Sequence, residues 1–294
     1  MSIILHILFF LLETVVVLTG LTVLLSFTVA WYERANTRPE LIERRFTSRG
    51  IFLSLWLMLL ETLSLLATIA LRPLGWSNPK TTVLEPGSHP PVILLHGLFQ
   101  NRSCLYWMQH RLKQAGFKNV LSINTPPWRD LETLTEILAR KVDEVRIAHK
   151  VDKVSLVGHS MGGMIARNYI QLRGGASRVA CCITIGAPHH GSKLAPFALS
   201  QLGKSLLPGS EFLKQINAAG RPAEGRMIAI YSRHDNIIQP AANAHLENAD
   251  ENIELDGMGH TSLLFHPRVI ETIIDRLKAC ETNENPHTAV PAHL

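Results

Sequence analysis

Two apolar runs near the N-terminus constrain this chain more than any other feature. Residues 3–31 and 51–71 hold 37 apolar side chains in 50 positions and only two charges, Glu13 and Glu61. At 1.5 Å per residue the second run makes about 31 Å of helix, which matches the hydrocarbon core of a bilayer. The first reaches about 43 Å and must tilt or extend into a headgroup layer. A cleaved signal peptide is the other reading of residues 3–31. No cationic segment precedes Ile3, the run exceeds the usual apolar length of about 7–15 residues, and no small-x-small cleavage site follows. Two membrane spans are therefore expected.

Between the runs, residues 33–50 carry Arg34, Arg38, Arg44, Arg45 and Arg49, whereas residues 1–32 contain no Lys or Arg. Only Arg72 and Lys80 closely follow the second run. A short basic loop belongs on the cytoplasmic side. The expectation is a transmembrane hairpin over residues 1–72 with the remainder extracytoplasmic, which at a bacterial inner membrane means periplasmic. Each run contains Leu-Leu-Glu-Thr, at Leu11–Thr14 and Leu59–Thr62. A carboxyl group in lipid tends to be neutral, paired or turned towards another helix. Glu13 and Glu61 either share a hydrogen bond, within the hairpin or across a homodimer, or each bonds a local Thr or the backbone. The net charge of +5 is spread without a basic block, which excludes a nucleic-acid partner.

Residues 73–90 contain Pro73, Gly75, Pro79, Pro86, Gly87 and Pro90 and read as a linker. Beyond it, short apolar strands alternate with longer amphipathic stretches, the pattern of a mostly parallel sheet with helices on both faces. Strands are expected at 92–95, 119–124, 153–157, 179–185, 227–231 and 252–255. Helices are expected at 103–115, 131–149, 161–172 and 267–279. Residues 281–294 read as a disordered tail. In sheets of this class, reactive groups gather at the carboxyl ends of the strands.

Three segments place them there. Gly158-His-Ser160-Met-Gly162 joins an apolar strand to a helix, the G-x-S-x-G context that projects a serine hydroxyl beyond the sheet. The Met161 N–H, at the helix N-terminus, can point at a developing oxyanion. Pro91-Val-Ile-Leu-Leu-His96-Gly97-Leu98 ends a buried strand in a loop where a second donor belongs, with the Leu98 N–H as candidate; His96 shapes that loop. In the chain order Ser, Asp, His, the orienting acid is Asp235, after the strand at 227–231, and the base is His260, after the strand at 252–255. His234 and Asp256 are the local competitors.

From Pro91 to Ala279 the sequence resembles an α/β-hydrolase. Pro-Val-Ile-Leu-Leu-His-Gly-Leu, Val-Gly-His-Ser-Met-Gly-Gly and Gly186-Ala-Pro-His-His-Gly-Ser192 are similar to segments of bacterial triacylglycerol lipases and related esterases. The resemblance implies an α/β-hydrolase domain over residues 91–280, with Ser160 as nucleophile, His260 as general base and Asp235 as orienting acid. It also implies a lid after Gly191. Residues 192–225 form an apolar insertion broken by Pro196, Pro208 and Gly209, either a packed cap or a lid lining an acyl pocket. Relatives of this type often carry a structural calcium; no acidic cluster here predicts one, and the chemistry needs no cofactor. The implied activity is hydrolysis of a lipid or other acyl ester at a bilayer. An acyltransferase using the same three residues and a non-catalytic membrane-anchored protein are the alternatives. Cys104, Cys181, Cys182 and Cys280 allow three full pairings, with Cys181 and Cys182 expected as free core thiols on opposite strand faces.

Overall fold

A computed structural model describes residues 3–37, 47–77 and 89–284. The arginines at 38, 44 and 45, most of the linker and the tail from 285 lie outside the described residues.

The sheet comprises six strands: β1 (Val92–Leu95), β2 (Val120–Ile123), β3 (Val154–His159), β4 (Val179–Ile185), β5 (Arg226–Ser232) and β6 (Glu251–Leu255). They pair in the order β2-β1-β3-β4-β5-β6, and every pairing is parallel. Strands buried on both faces need near-continuous apolar sequence, and Val92-Ile-Leu-Leu95 and Val179-Ala-Cys-Cys-Ile-Thr-Ile185 supply it. Strand order reverses between β1 and β3, so the crevice beyond their carboxyl ends is the switch point where such sheets bind ligands.

Helices α4 (Leu131–His149) and α5 (Met161–Leu172) cover one face, while α3 (Tyr106–Gln114) and α8 (Pro267–Glu284) cover the other. In α4, Leu131, Leu134, Leu138, Val142 and Val145 recur at helical spacing and are buried. Asp130 caps that helix by accepting the Thr133 N–H at 2.8 Å. The expected helix at 103–115 begins as a 3-10 turn, Arg102–Leu105, because Asn101 caps it early.

Adjacent strand residues point to opposite faces, and this separates two neighbouring cysteines. Cys181 lies on the α8 side, disulfide-bonded to Cys280, while Cys182 is a buried free thiol on the α5 side. The expectation of a free Cys181 is corrected: strand and helix bring residues 99 positions apart face to face.

The N-terminal runs form α1 (Ile3–Thr37) and α2 (Ser48–Leu71), antiparallel helices packed through Val23, Phe27 and Leu57. Both are long and apolar enough to cross a membrane, by length and composition. The hairpin lies along the α/β domain. Glu33 pairs with Lys193 and Arg34 donates to the Arg233 carbonyl, both at the loop end of α1. Ser26 accepts a hydrogen bond from Asn236 Nδ2 at 2.7 Å. At the far end, Arg72 O accepts from Asn101 Nδ2 at 2.8 Å. Glu13 is exposed on α1, whereas Glu61 is buried against the α/β domain. The shared Glu13–Glu61 hydrogen bond is therefore replaced by a contact of Glu61 with the domain.

Where α5 meets the sheet, backbone packs directly on backbone. A Cβ on Gly162 would lie 2.6 Å from Leu95 O and 2.8 Å from His96 O, and one on Gly158 would lie 2.5 Å from the backbone of Gly162 and Gly163. Backbone cannot yield as a side-chain end can. Gly162→Ala is expected to cost about 1–3 kcal/mol, the range for overpacking a core, read as a lowered thermal midpoint. Gly20→Ala, at a site inside α1 with no atom within 4 Å, is the control expected to leave the midpoint no lower, since Ala favours a helix over Gly. Equal midpoints for the two variants would contradict this account of the packing.

Candidate active site

Ser160 occupies the turn between β3 and α5 with φ 54° and ψ −120°, a region costly for any residue with a side chain. Its N–H donates to Ile185 O at 2.8 Å, and its carbonyl accepts the Gly163 N–H at 3.0 Å. The close approach of α5 to β1 and β3 holds the turn in place. Met161 follows as the first residue of the helix, and Leu98 lies across the crevice in the loop after β1.

Asp235 follows β5 and is buried. Its Oδ1 accepts the N–H groups of Ile237 and Ile238, each at 2.8 Å, and its Oδ2 lies 2.8 Å from His260 Nδ1. The three contacts fix the carboxylate and, through it, the imidazole plane. Burial lowers the His260 pKa, but the Asp235 charge and hydrogen bond outweigh it and hold the group above its ordinary value. Ser160 and His260 then meet as walls of one cavity of about 630 Å3.

The competing histidines are spent on structure. His96 Nε2 accepts the Thr125 N–H at 2.9 Å, which leaves Nδ1 to donate to Gly97 O at 2.8 Å. Burial pushes its pKa down to about 4. His234 accepts the Gly257 N–H at 3.0 Å and is likewise lowered to about 4, chiefly by burial. Asp256 faces Arg268 on α8. His189 is buried between Thr184 and Arg167, which also bonds Asn217 and so ties the insertion after β4 to α5.

Sequence reasoning missed three contributors. Gln100 Oε1 accepts the Gly97 N–H at 3.1 Å and braces the loop that carries Leu98. Asn236 Oδ1 accepts the His260 N–H at 2.9 Å. The third is the hairpin, which supplies a cavity wall through Val23, Ser26 and Val29 of α1 and Glu61, Leu65 and Ile69 of α2. The signal for Asn236 was its place beside the acid; nothing in the local pattern of the hairpin pointed to the cavity.

The insertion at 192–225 behaves differently from a continuous apolar cover. Its first turn brings Leu194, Phe197 and Ala198 to the cavity. Helices α6 (Gln201–Ser205) and α7 (Glu211–Ala218) instead bury Leu202, Leu213 and Ile216 in the core beside α5. Phe197 and Leu199 remain 74% and 94% exposed.

Residues 90–206 match the family model described as "alpha/beta hydrolase fold". A triacylglycerol lipase of Pseudomonas fragi is 27% identical over 155 residues, covering 51% of this chain. This chain spans about half the length of that relative, 50% of it being matched. Among solved structures, Bacillus licheniformis lipase BlEst2 in its mature form superposes with a TM-score of 0.59 at 21% identity, over 66% of this chain and 96% of that one. Aspergillus fumigatus lipase B gives 0.56 at 20% identity, over 68% and 59%. With the parallel sheet and the turn at Ser160, these likenesses establish that the chain carries an α/β-hydrolase fold.

Proposed function

We propose that this chain is a membrane-bound serine hydrolase that cleaves carboxylic esters of lipid-like acyl groups. The observation that carries the reading is Ser160, held at a strained turn heading α5, in one cavity with a histidine fixed by a buried aspartate. The triacylglycerol lipase of Pseudomonas fragi and the two lipases of the same fold support the ester class.

His260, held through Nδ1 by Asp235, takes the Ser160 proton at Nε2 as the hydroxyl attacks the ester carbonyl. Asp235 stabilises the imidazolium that forms. The backbone N–H groups of Leu98 and Met161 receive the oxyanion, with the positive end of α5 behind Met161. His260 returns the proton to the leaving alcohol, and water then cleaves the acyl-enzyme by the same sequence. A cavity of about 630 Å3 with mainly apolar walls accommodates an acyl chain.

Lipid meets the enzyme through the hairpin. Residues 3–18 of α1 are almost entirely exposed, and Ile51, Phe52, Leu55, Leu59 and Leu63 form an outward apolar stripe on α2. Were both helices to cross, the loop arginines would put the domain on the extracytoplasmic side, where a Cys181–Cys280 disulfide persists. But an α2 that buries Glu61 against the domain and meets it again at Arg72 lies along the domain instead of spanning. The contacts of Glu33 and Arg34 with the domain favour a second reading, in which only the first half of α1 crosses and the domain shares the side of the basic loop. A compartment-specific reporter fused to the C-terminus separates the two.

Ser160→Ala is expected to abolish both p-nitrophenyl ester hydrolysis and labelling by a fluorophosphonate, with the thermal midpoint unchanged. Labelling at full stoichiometry would overturn the assignment. In wild type the acid limb of kcat/KM should lie above pH 6.5, because His260 must be neutral to act and its pKa is raised. Asp235→Asn should lower kcat by about 10⁴, as in other such triads. A limb below pH 6.5 would contradict the raised pKa of His260.

A further inference from the structure

Glu61 takes no part in the proton transfers above, yet it is buried beside them. It is 2% exposed and projects from the middle of α2, whose remaining side chains are mostly apolar. Its Oε1 accepts the Thr261 N–H at 2.7 Å and its Oε2 accepts the Ser262 N–H at 3.0 Å. Two backbone donors taken by two oxygens is the pattern of an ionised carboxylate, and such charge-assisted bonds are roughly twice as strong as neutral ones. Asn236 takes the preceding donor, the His260 N–H. Three consecutive N–H groups starting at His260 are thus held by two side chains, one of them from the hairpin.

Several details make the fit specific. Gln at position 61 would offer one acceptor to two donors, and Asp would fall short by one methylene. Gly259 faces the same carboxylate and its neighbour, since a Cβ there would lie 2.5 Å from Glu61 Oε2 and 2.8 Å from Asn236 Oδ1. The Gly259–Ser262 segment is therefore shaped to admit a carboxylate from outside the α/β domain. Removing the whole carboxyl leaves two buried N–H groups without a partner and Gln leaves one, a costly outcome either way.

We propose that Glu61 is a positioning residue: its carboxylate, delivered by the apolar hairpin, fixes the His260 loop, and its charge favours the imidazolium form of His260. The proposal rests on the serine hydrolase reading. The titratable groups facing His260 are Asp235 from the loop after β5, Glu61 from α2 and His159 from the end of β3, whose ring centroid lies 4.7 Å away. Burial, followed by the nearby His260 and His96, keeps His159 well below the ordinary histidine value, so it stays neutral. Docking of the hairpin then completes the active site, and a domain stripped of it would hold its base by Asp235 and Asn236 alone.

The test compares full-length wild type, Ser160→Ala, Glu61→Gln and Gly259→Ala in detergent micelles with p-nitrophenyl butyrate. Glu61→Gln should lower kcat at least tenfold with KM changed less than threefold. Its acid limb in kcat/KM should move down by about one pH unit, because loss of a neighbouring negative charge lowers the His260 pKa. Gly259→Ala, which presses on the carboxylate and on Asn236 Oδ1, should reproduce the loss of kcat. A folded Glu61→Gln protein with an unmoved acid limb would overturn the proposal, whether or not kcat fell, since packing alone would then be at stake. Should Glu61→Gln fail to fold, an unchanged kcat in Gly259→Ala would overturn it equally. A wild type no more active than Ser160→Ala would instead overturn the hydrolase reading.

Discussion

The contact on which the rest of this structure depends is the seating of the α5 N-terminus against the ends of β1 and β3. Glycines at 158 and 162 let backbone meet backbone there, at distances that leave no room for a methyl group. That closeness forces Ser160 into its left-handed conformation and lifts its side chain to the crevice where strand order reverses. Everything reactive is then placed by strand ends. Asp235 and His260 arrive from β5 and β6 at the same edge, where a single hydrogen bond joins them.

The apolar hairpin acquires a second role from this arrangement. A membrane anchor needs length and hydropathy alone, and both helices have them. Here the same helices also close the cavity, with Ser26 held by Asn236 and Glu61 held by the residues after His260. Two of the polar groups on these mainly apolar helices are spent on the loops that carry Asp235 and His260. An ester drawn from lipid would pass between surfaces that are lipid-like outside the protein and line the cavity within it.

How much of this was legible in sequence depended on range. The strands at 92–95 and 179–185 and the helices at 131–149 and 161–172 matched their expected bounds, because continuous apolar runs and helical periodicity are local signals. Ser160, Asp235 and His260 are proposed from strand-end position and chain order, and the structure brings Asp235 to His260 and sets Ser160 and His260 in one cavity. The Cys181–Cys280 pair could not, since it needs the register of β4 against α8. The same limit hid the roof of the cavity. Apolar content left residues 192–225 readable as a packed cap or a lid, and much of that content is core packing beside α5. Glu61 looked like a stray carboxyl in a membrane helix, because its partners lie 200 positions away.

The central claim is that the hairpin and the α/β domain build one catalytic pocket. A p-nitrophenyl alkylphosphonate carrying a diazirine near the end of its chain tests this directly, because it bonds first to the nucleophile and then, under light, to whatever wall the chain touches. The account predicts a phosphonyl adduct on Ser160 and photo-crosslinks to peptides of α1 around Val23–Val29 and of α2 around Leu65–Ile69. An adduct on Ser160 with crosslinks confined to residues 194–218 would contradict it.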